Sequence, residues 1–205
     1  QGENMIYITG DTHGGTDMRK LTRKELKRSH ISLSENDIVI ITGDFGFPFT
    51  PDDIKDYDKG VKSEYTAYMK WFAERPYKVL FIDGNHDNHD WWSREEATDA
   101  ETERALENLE RAGWQADYII THTLPQSVIA QIPRFAYKIW PCRTAQFLDT
   151  VIKKVSYDKW FCGHFHIDMT VPERRIAVLY NTVHSLNEFD SILSGDKSIF
   201  SIRDR

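Results

Sequence analysis

Five times along this chain an apolar, β-branched run stops at a short polar turn that carries Asp, Asn or His, usually beside a glycine. Residues 5–9, 37–42, 77–83, 117–121 and 159–162 read as the strands. They lead into Gly10-Asp11-Thr12-His13-Gly14, Gly43-Asp44-Phe45-Gly46, Gly84-Asn85-His86-Asp87, Thr121-His122 and Gly163-His164-Phe165-His166. Residues 176–180 and 198–202 read as further strands. Helical faces fall between them: Val61, Tyr65, Tyr68, Met69 and Phe72; Ala105, Leu106, Leu109 and Ala112, which Gly113 ends; Phe147, Leu148, Val151, Ile152 and Val155. Such alternation specifies an α/β fold with helices covering sheets. No fixed-period repeat or linker interrupts it, so residues 5–205 read as one domain. Gln1 and Gly2 precede the first methionine, and residues 1–4 read as the remnant of a cleaved tag.

Composition removes several function classes. With 40% hydrophobic residues, 11 Gly and 7 Pro, the chain is neither disordered nor collagen-like. Its apolar runs fall far short of the roughly 20 residues of a membrane span. Twenty-six Lys and Arg against 32 Asp and Glu leave a charge of −6, which argues against a protein that coats nucleic acid. Two cysteines, Cys142 and Cys162, make no disulfide framework, and a cytoplasmic location is expected. Cys162, just before Gly163, reads as a buried strand residue. Residues 19–28 hold six Lys or Arg and one Glu. They read as the solvated face of the first helix, with a phosphate-rich partner surface as the alternative.

The strand ends carry the chemistry. Ligands of open α/β sheets bind at the carboxyl edge. Asp11 and His13 are two apart, as are His164 and His166; in extended backbone such pairs project to one side. Imidazoles, carboxylates and one amide, with no thiolate, suit Mn, Fe, Zn, Co or Ni rather than a closed structural zinc site. Asp11, His13, Asp44, Asn85, His122, His164 and His166 are too many for one tetrahedral ion. Seven ligands of these types fit two ions sharing a carboxylate, a recurrent device for phosphoester displacement; which turn residues bind rests on a family resemblance. His30, His89 and His184 lie outside these motifs.

The ordered set Asp-x-His, Gly-Asp-x-Gly, Gly-Asn-His-Asp, a lone His and Gly-His-x-His resembles the calcineurin-like metallophosphoesterases, in particular their small stand-alone bacterial or phage members. The motifs run from Asp11 to His166. The resemblance implies a four-layer αββα sandwich of two mixed sheets flanked by helices. It implies Asp11, His13 and His166 on one divalent ion, Asn85, His122 and His164 on the other, and Asp44 between them. It also implies hydrolysis of a phosphomonoester or phosphodiester by a bridging hydroxide, with His86 as general acid and Asp87 tuning or orienting it.

A small phosphorylated substrate is expected. Phe45, Phe47, Pro48, Phe49, Trp91 and Trp92 beside the metal loops offer stacking for a nucleotide or cyclic nucleotide, or simply an apolar rim. Arg143 is a candidate grip for a distal phosphate. A nuclease of the same superfamily would need a basic groove that a charge of −6 does not advertise. A non-catalytic scaffold of the same fold would lack ligands, and here none is missing. The stretch from Asn88 to Thr98 is short for the family, which points to a deletion or gap near Asn88 and His89.

Overall fold

The structure is a computed structural model describing residues 4–46, 59–60, 62–85, 87, 96–132, 134–135 and 142–193. In chain order it contains β1 (Ile6–Thr9), a 3-10 turn (Met18–Leu21), α1 (Arg23–Arg28), β2 (Ile38–Ile41), α2 (Glu64–Ala73), β3 (Lys78–Phe81) and α3 (Asp99–Arg111). There follow β4 (Gln115–Ile120), α4 (Gln126–Ile129), α5 (Arg143–Lys154), β5 (Ser156–Cys162), β6 (Met169–Val171), β7 (Ile176–Val178), β8 (Val183–Ser185) and α6 (Phe189–Leu193). One sheet has the order β3-β2-β1-β8 and the other β4-β5-β7-β6. Each has three parallel strands and one antiparallel edge strand, β8 and β6 respectively. Both sheets are mixed, as the sequence resemblance implies.

The period-2 alternation of side chains sorts each strand between two cores. From β2, Val39 and Ile41 join Phe72, Leu21 and Leu26 in the core beneath α1 and α2. Ile40 turns the other way, toward Ile8, Phe161, Ala177, Leu179 and Phe189. From β5, Trp160 and Cys162 face Leu148, Val151 and Val155 around α5, while Phe161 faces the first sheet's Ile8. Helix, sheet, sheet and helix therefore stack as four layers. Cys162 is wholly buried, as expected.

Local signals set the helix boundaries. Thr98 and Glu101 close a capping box at the start of α3. At its end Gly113 takes φ +67, and the Trp114 and Gly113 amides reach the Leu109 and Glu110 carbonyls. That is the left-handed cap foreseen for Gly113. The basic stretch departs from expectation. It is not one solvated helix: Thr22 is extended (φ −69°, ψ 148°) and separates the 3-10 turn from α1. Arg19, Arg23, Lys24, Lys27 and Arg28 are exposed, but Lys20 is buried. Strands β6 and β8, three residues each, are too short to announce themselves; their pairing with β7 and β1 defines them. The expected strand at 198–202 and Val61 lie outside the described residues.

Candidate metal centre

The first three parallel strands and the pair β4–β5 end at the same edge, and the polar turns meet there. Asp11 and Asp44 have no solvent exposure. Donor atoms of Asp11, His13, Asp44 and His166 all lie within 4.8 Å of one another, and so do those of Asp44, His122 and His164. Asp44 belongs to both groups. Asn85 joins the second, its Oδ1 standing 2.9 Å from His122 Nε2, which in turn is 3.1 Å from His164 Nδ1. All seven candidate ligands from the sequence are thus brought together.

The backbone reason for this convergence differs from the extended-pair expectation. His13, Asp44, His164 and His166 have φ of 41°, 42°, 69° and 51°. Left-handed backbone is uncommon outside glycine, although Asp and His tolerate it better than most, and clusters of it mark functional sites. Asp11 and His13 share the first group, as their spacing suggested, but His164 and His166 diverge: His164 enters the second group and His166 the first. Glycines allow the close packing behind them. A Cβ on Gly84 would stand 2.2 Å from Asp44 Oδ1, and one on Gly163 would stand 2.0 Å from Asp11 Oδ1.

Hydrogen bonds aim the ring nitrogens. His122 Nδ1 is 3.1 Å from the Thr42 carbonyl, so the proton belongs there and Nε2 faces Asn85 and Asp44. His13 Nδ1 is 2.7 Å from Asp17 Oδ2, and its Nε2 is 3.3 Å from Asp44 Oδ2. His166 Nε2 is 3.6 Å from Asp11 Oδ2. Imidazoles whose far nitrogen is held by a carboxylate or carbonyl are the usual arrangement of metal-binding histidines. Asp11 accepts the His164 amide on both oxygens, at 3.0 and 2.9 Å.

The electrostatics also favour a cation. Burial, reinforced by the Asp44 charge, pushes the Asp11 carboxyl up to about 7 against the opposing His164 amide. The hydrogen bond to Asp44, followed by that to Asp17, raises His13 to about 9 despite burial. Two buried carboxylates facing imidazole nitrogens and one amide oxygen form a donor set that fits divalent transition ions.

Asp87, expected to serve a catalytic histidine, accepts the Gly84 amide at 2.8 Å on one oxygen and the Gly46 amide at 2.5 Å on the other. It ties the second and third turns together, and burial raises it to about 6. His86, His89, Phe47, Pro48, Phe49, Trp91 and Trp92 lie outside the described residues, as does the junction at Asn88 and His89. Phe45 is described and buried, stacked 4.3 Å from Phe81 and packed in the α2 core. It is therefore no pocket platform. Arg143 pairs with Asp99 at the head of α3 instead of joining the cluster. His30 follows α1, and His184 sits on β8 opposite Ile8.

The sequence motifs did not disclose the residues around the ligands. Lys20 donates to the main-chain carbonyls of Asp11 and Tyr180, and burial lowers its pKa. Asp17, Asp168 and Tyr180 carry no motif. The spacing of Asp17 four residues after His13 is a signal that could have found it.

A sequence model described as calcineurin-like phosphoesterase matches residues 5–168. Among solved structures, the chain is similar to a protein serine/threonine phosphatase from Saccharomyces cerevisiae, itself described as similar to human phosphatase PP5. The identity is 14% and the TM-score 0.41, over 86% of this chain and 67% of that one. No curated protein matches. Among the described residues no helix is long and apolar enough to cross a membrane.

Proposed function

The chain belongs to the calcineurin-like phosphoesterase family, and on that premise we propose that it hydrolyses small phosphoesters at a two-ion centre. The observation that carries this reading is Asp44, a wholly buried carboxylate common to both donor groups. Asp11, His13, His166 and Asp44 would hold one divalent transition ion. Asn85, His122, His164 and Asp44 would hold the other. When bound, such ions supply Lewis acidity toward a phosphoryl group and a water of lowered pKa.

The chain's own residues supply the rest. The Thr42 carbonyl and the Asp17 carboxylate keep protons on the far nitrogens of His122 and His13, so the near nitrogens face the other donors. Asp87 fixes the third turn through the Gly84 amide and so acts by position. His86, next to Asn85 in sequence, is the proposed general acid that returns a proton to the leaving oxygen. The expected substrate is a small phosphomonoester or phosphodiester, and a nucleotide or cyclic nucleotide fits the aromatic residues near the metal motifs.

The test is release of nitrophenol from nitrophenyl phosphate and from bis-nitrophenyl phosphate, after chelation and after return of Mn, Ni, Co or Mg. Mn, Ni or Co should restore activity better than Mg because the donors are rich in nitrogen. The ratio of the two substrates assigns the ester class. Full activity in excess chelator overturns the two-ion reading. Two bound ions with no turnover of either ester would make the chain a scaffold.

A further inference from the structure

We propose that Tyr180 is a positioning residue for the first ion, holding both histidines of that donor group through one side chain. The inference rests on the two-ion reading above. Tyr180 lies beyond residue 168, where the family match ends.

Its hydroxyl is 3.1 Å from Asp17 Oδ1, while Asp17 Oδ2 is 2.7 Å from His13 Nδ1. The phenol donates to one oxygen, which fixes the carboxylate so that the other faces the imidazole. That choice keeps the His13 proton on Nδ1 and turns Nε2 toward Asp44. The ring of the same tyrosine stacks on His166, centroids 4.9 Å apart and planes 15° from parallel. The His166 side chain is half-exposed, and its ring is packed by Tyr180 on a near-parallel plane and by His13 at 84°, centroids 4.7 Å apart.

Tyr180 is itself firmly anchored. The amides of Tyr180, Asn181 and Thr182 and the Thr182 hydroxyl all donate to Asp168, two residues after His166. Lys20 bonds the carbonyls of Tyr180 and Asp11, joining this turn to the metal loop after β1. The second donor group is held differently: His122 is aimed by the Thr42 carbonyl, a backbone atom. Changes at Tyr180 should therefore act on one ion and spare the other.

The experiment is a calorimetric titration of the chelated full chain with Mn alone. Wild type should bind two ions. Tyr180→Phe keeps the stack and loses the donor; it should weaken one ion about 10-fold and leave the second unchanged. Tyr180→Leu loses both contacts and should weaken that same ion about 100-fold, the usual reach of residues behind a metal ligand. In a double-mutant cycle, Tyr180→Phe should add little to Asp17→Asn, because the hydroxyl acts on His13 only through Asp17. A merely structural tyrosine would lower the melting temperature of the metal-free protein and weaken both ions alike. That outcome, or unchanged affinities in both variants of a wild type that binds two ions, overturns this inference alone. A wild type that binds no Mn overturns the two-ion reading with it.

Discussion

Gly163→Ala is the smallest change that should disable the centre. A Cβ at this position would lie 2.0 Å from Asp11 Oδ1 and 2.8 Å from Thr42 Oγ1, where real Cβ contacts essentially never fall below 3.0 Å. The Asp11 carboxylate must therefore move by about 1 Å. It is wholly buried and already accepts the His164 amide, so it cannot swing into solvent to make room. Metal–ligand distances tolerate only about 0.2 Å. A misplacement of about 1 Å in a reacting geometry costs roughly 10²-fold. The expected result is loss of one of two ions at stoichiometric Mn, measured by elemental analysis, with turnover reduced about 10²-fold. Gly113→Ala is the control. Unlike Gly163 it has positive φ, but no atom lies within 4 Å of its would-be Cβ. It should lower stability by about 1–2 kcal/mol and leave both ions in place. A Gly163→Ala protein with two ions and wild-type turnover would refute the steric reasoning.

Asp44→Asn should weaken both ions together, since among the described residues Asp44 alone belongs to both donor groups; metal analysis showing one ion retained at wild-type affinity contradicts the bridge. His86→Gln should keep the ions and slow turnover by roughly 10²–10⁴, with a smaller effect on nitrophenyl esters, whose leaving group needs little protonation; equal losses on good and poor leaving groups would deny it the role of acid. With ions removed, stability should fall as pH rises. Burial raises Asp11 from 3.8 to about 7 and Asp87 from 3.8 to about 6, so folding favours their protonated forms. Their contribution is fully present below about pH 4 and is lost through about pH 6–7. The melting temperature of chelated protein across that window checks this, and a flat or rising profile contradicts it.

The ligands were legible because metal chemistry restricts side-chain identity, and strand ends are easily read. Asp11, Asp44, Asn85, His122, His164 and His166 each follow an apolar run that the structure shows as a strand. Their geometry was not legible. The pairs two residues apart suggested extended backbone, whereas His13, His164 and His166 are left-handed, a conformation imposed by packing of the turns on one another. Lys20 shows the limit of charge patterning. Within a basic run it looks solvated, yet two carbonyls, from Asp11 and from Tyr180, draw it inside. Tyr180 stands 163 residues from Asp17, and only the folded topology brings them into contact. Arg143, by contrast, was judged from its chemistry alone, and its nearer acidic neighbour on α3 claims it.

Neither sheet contains a whole binding site. Asp11, His13, Asp44 and Asn85 follow strands of one sheet, whereas His122, His164 and His166 follow strands of the other. The ions would therefore act as a clasp across the seam, and opening that seam would widen both sites at once. By linkage, each ion that binds only the closed arrangement adds about 2.7 kcal/mol at a hundred times its dissociation constant. The inner apolar layer around Ile8 and Phe161 then need not hold the sheets together alone. On the two-ion proposal, metal supply would set how long the folded chain lasts as well as whether it turns over substrate.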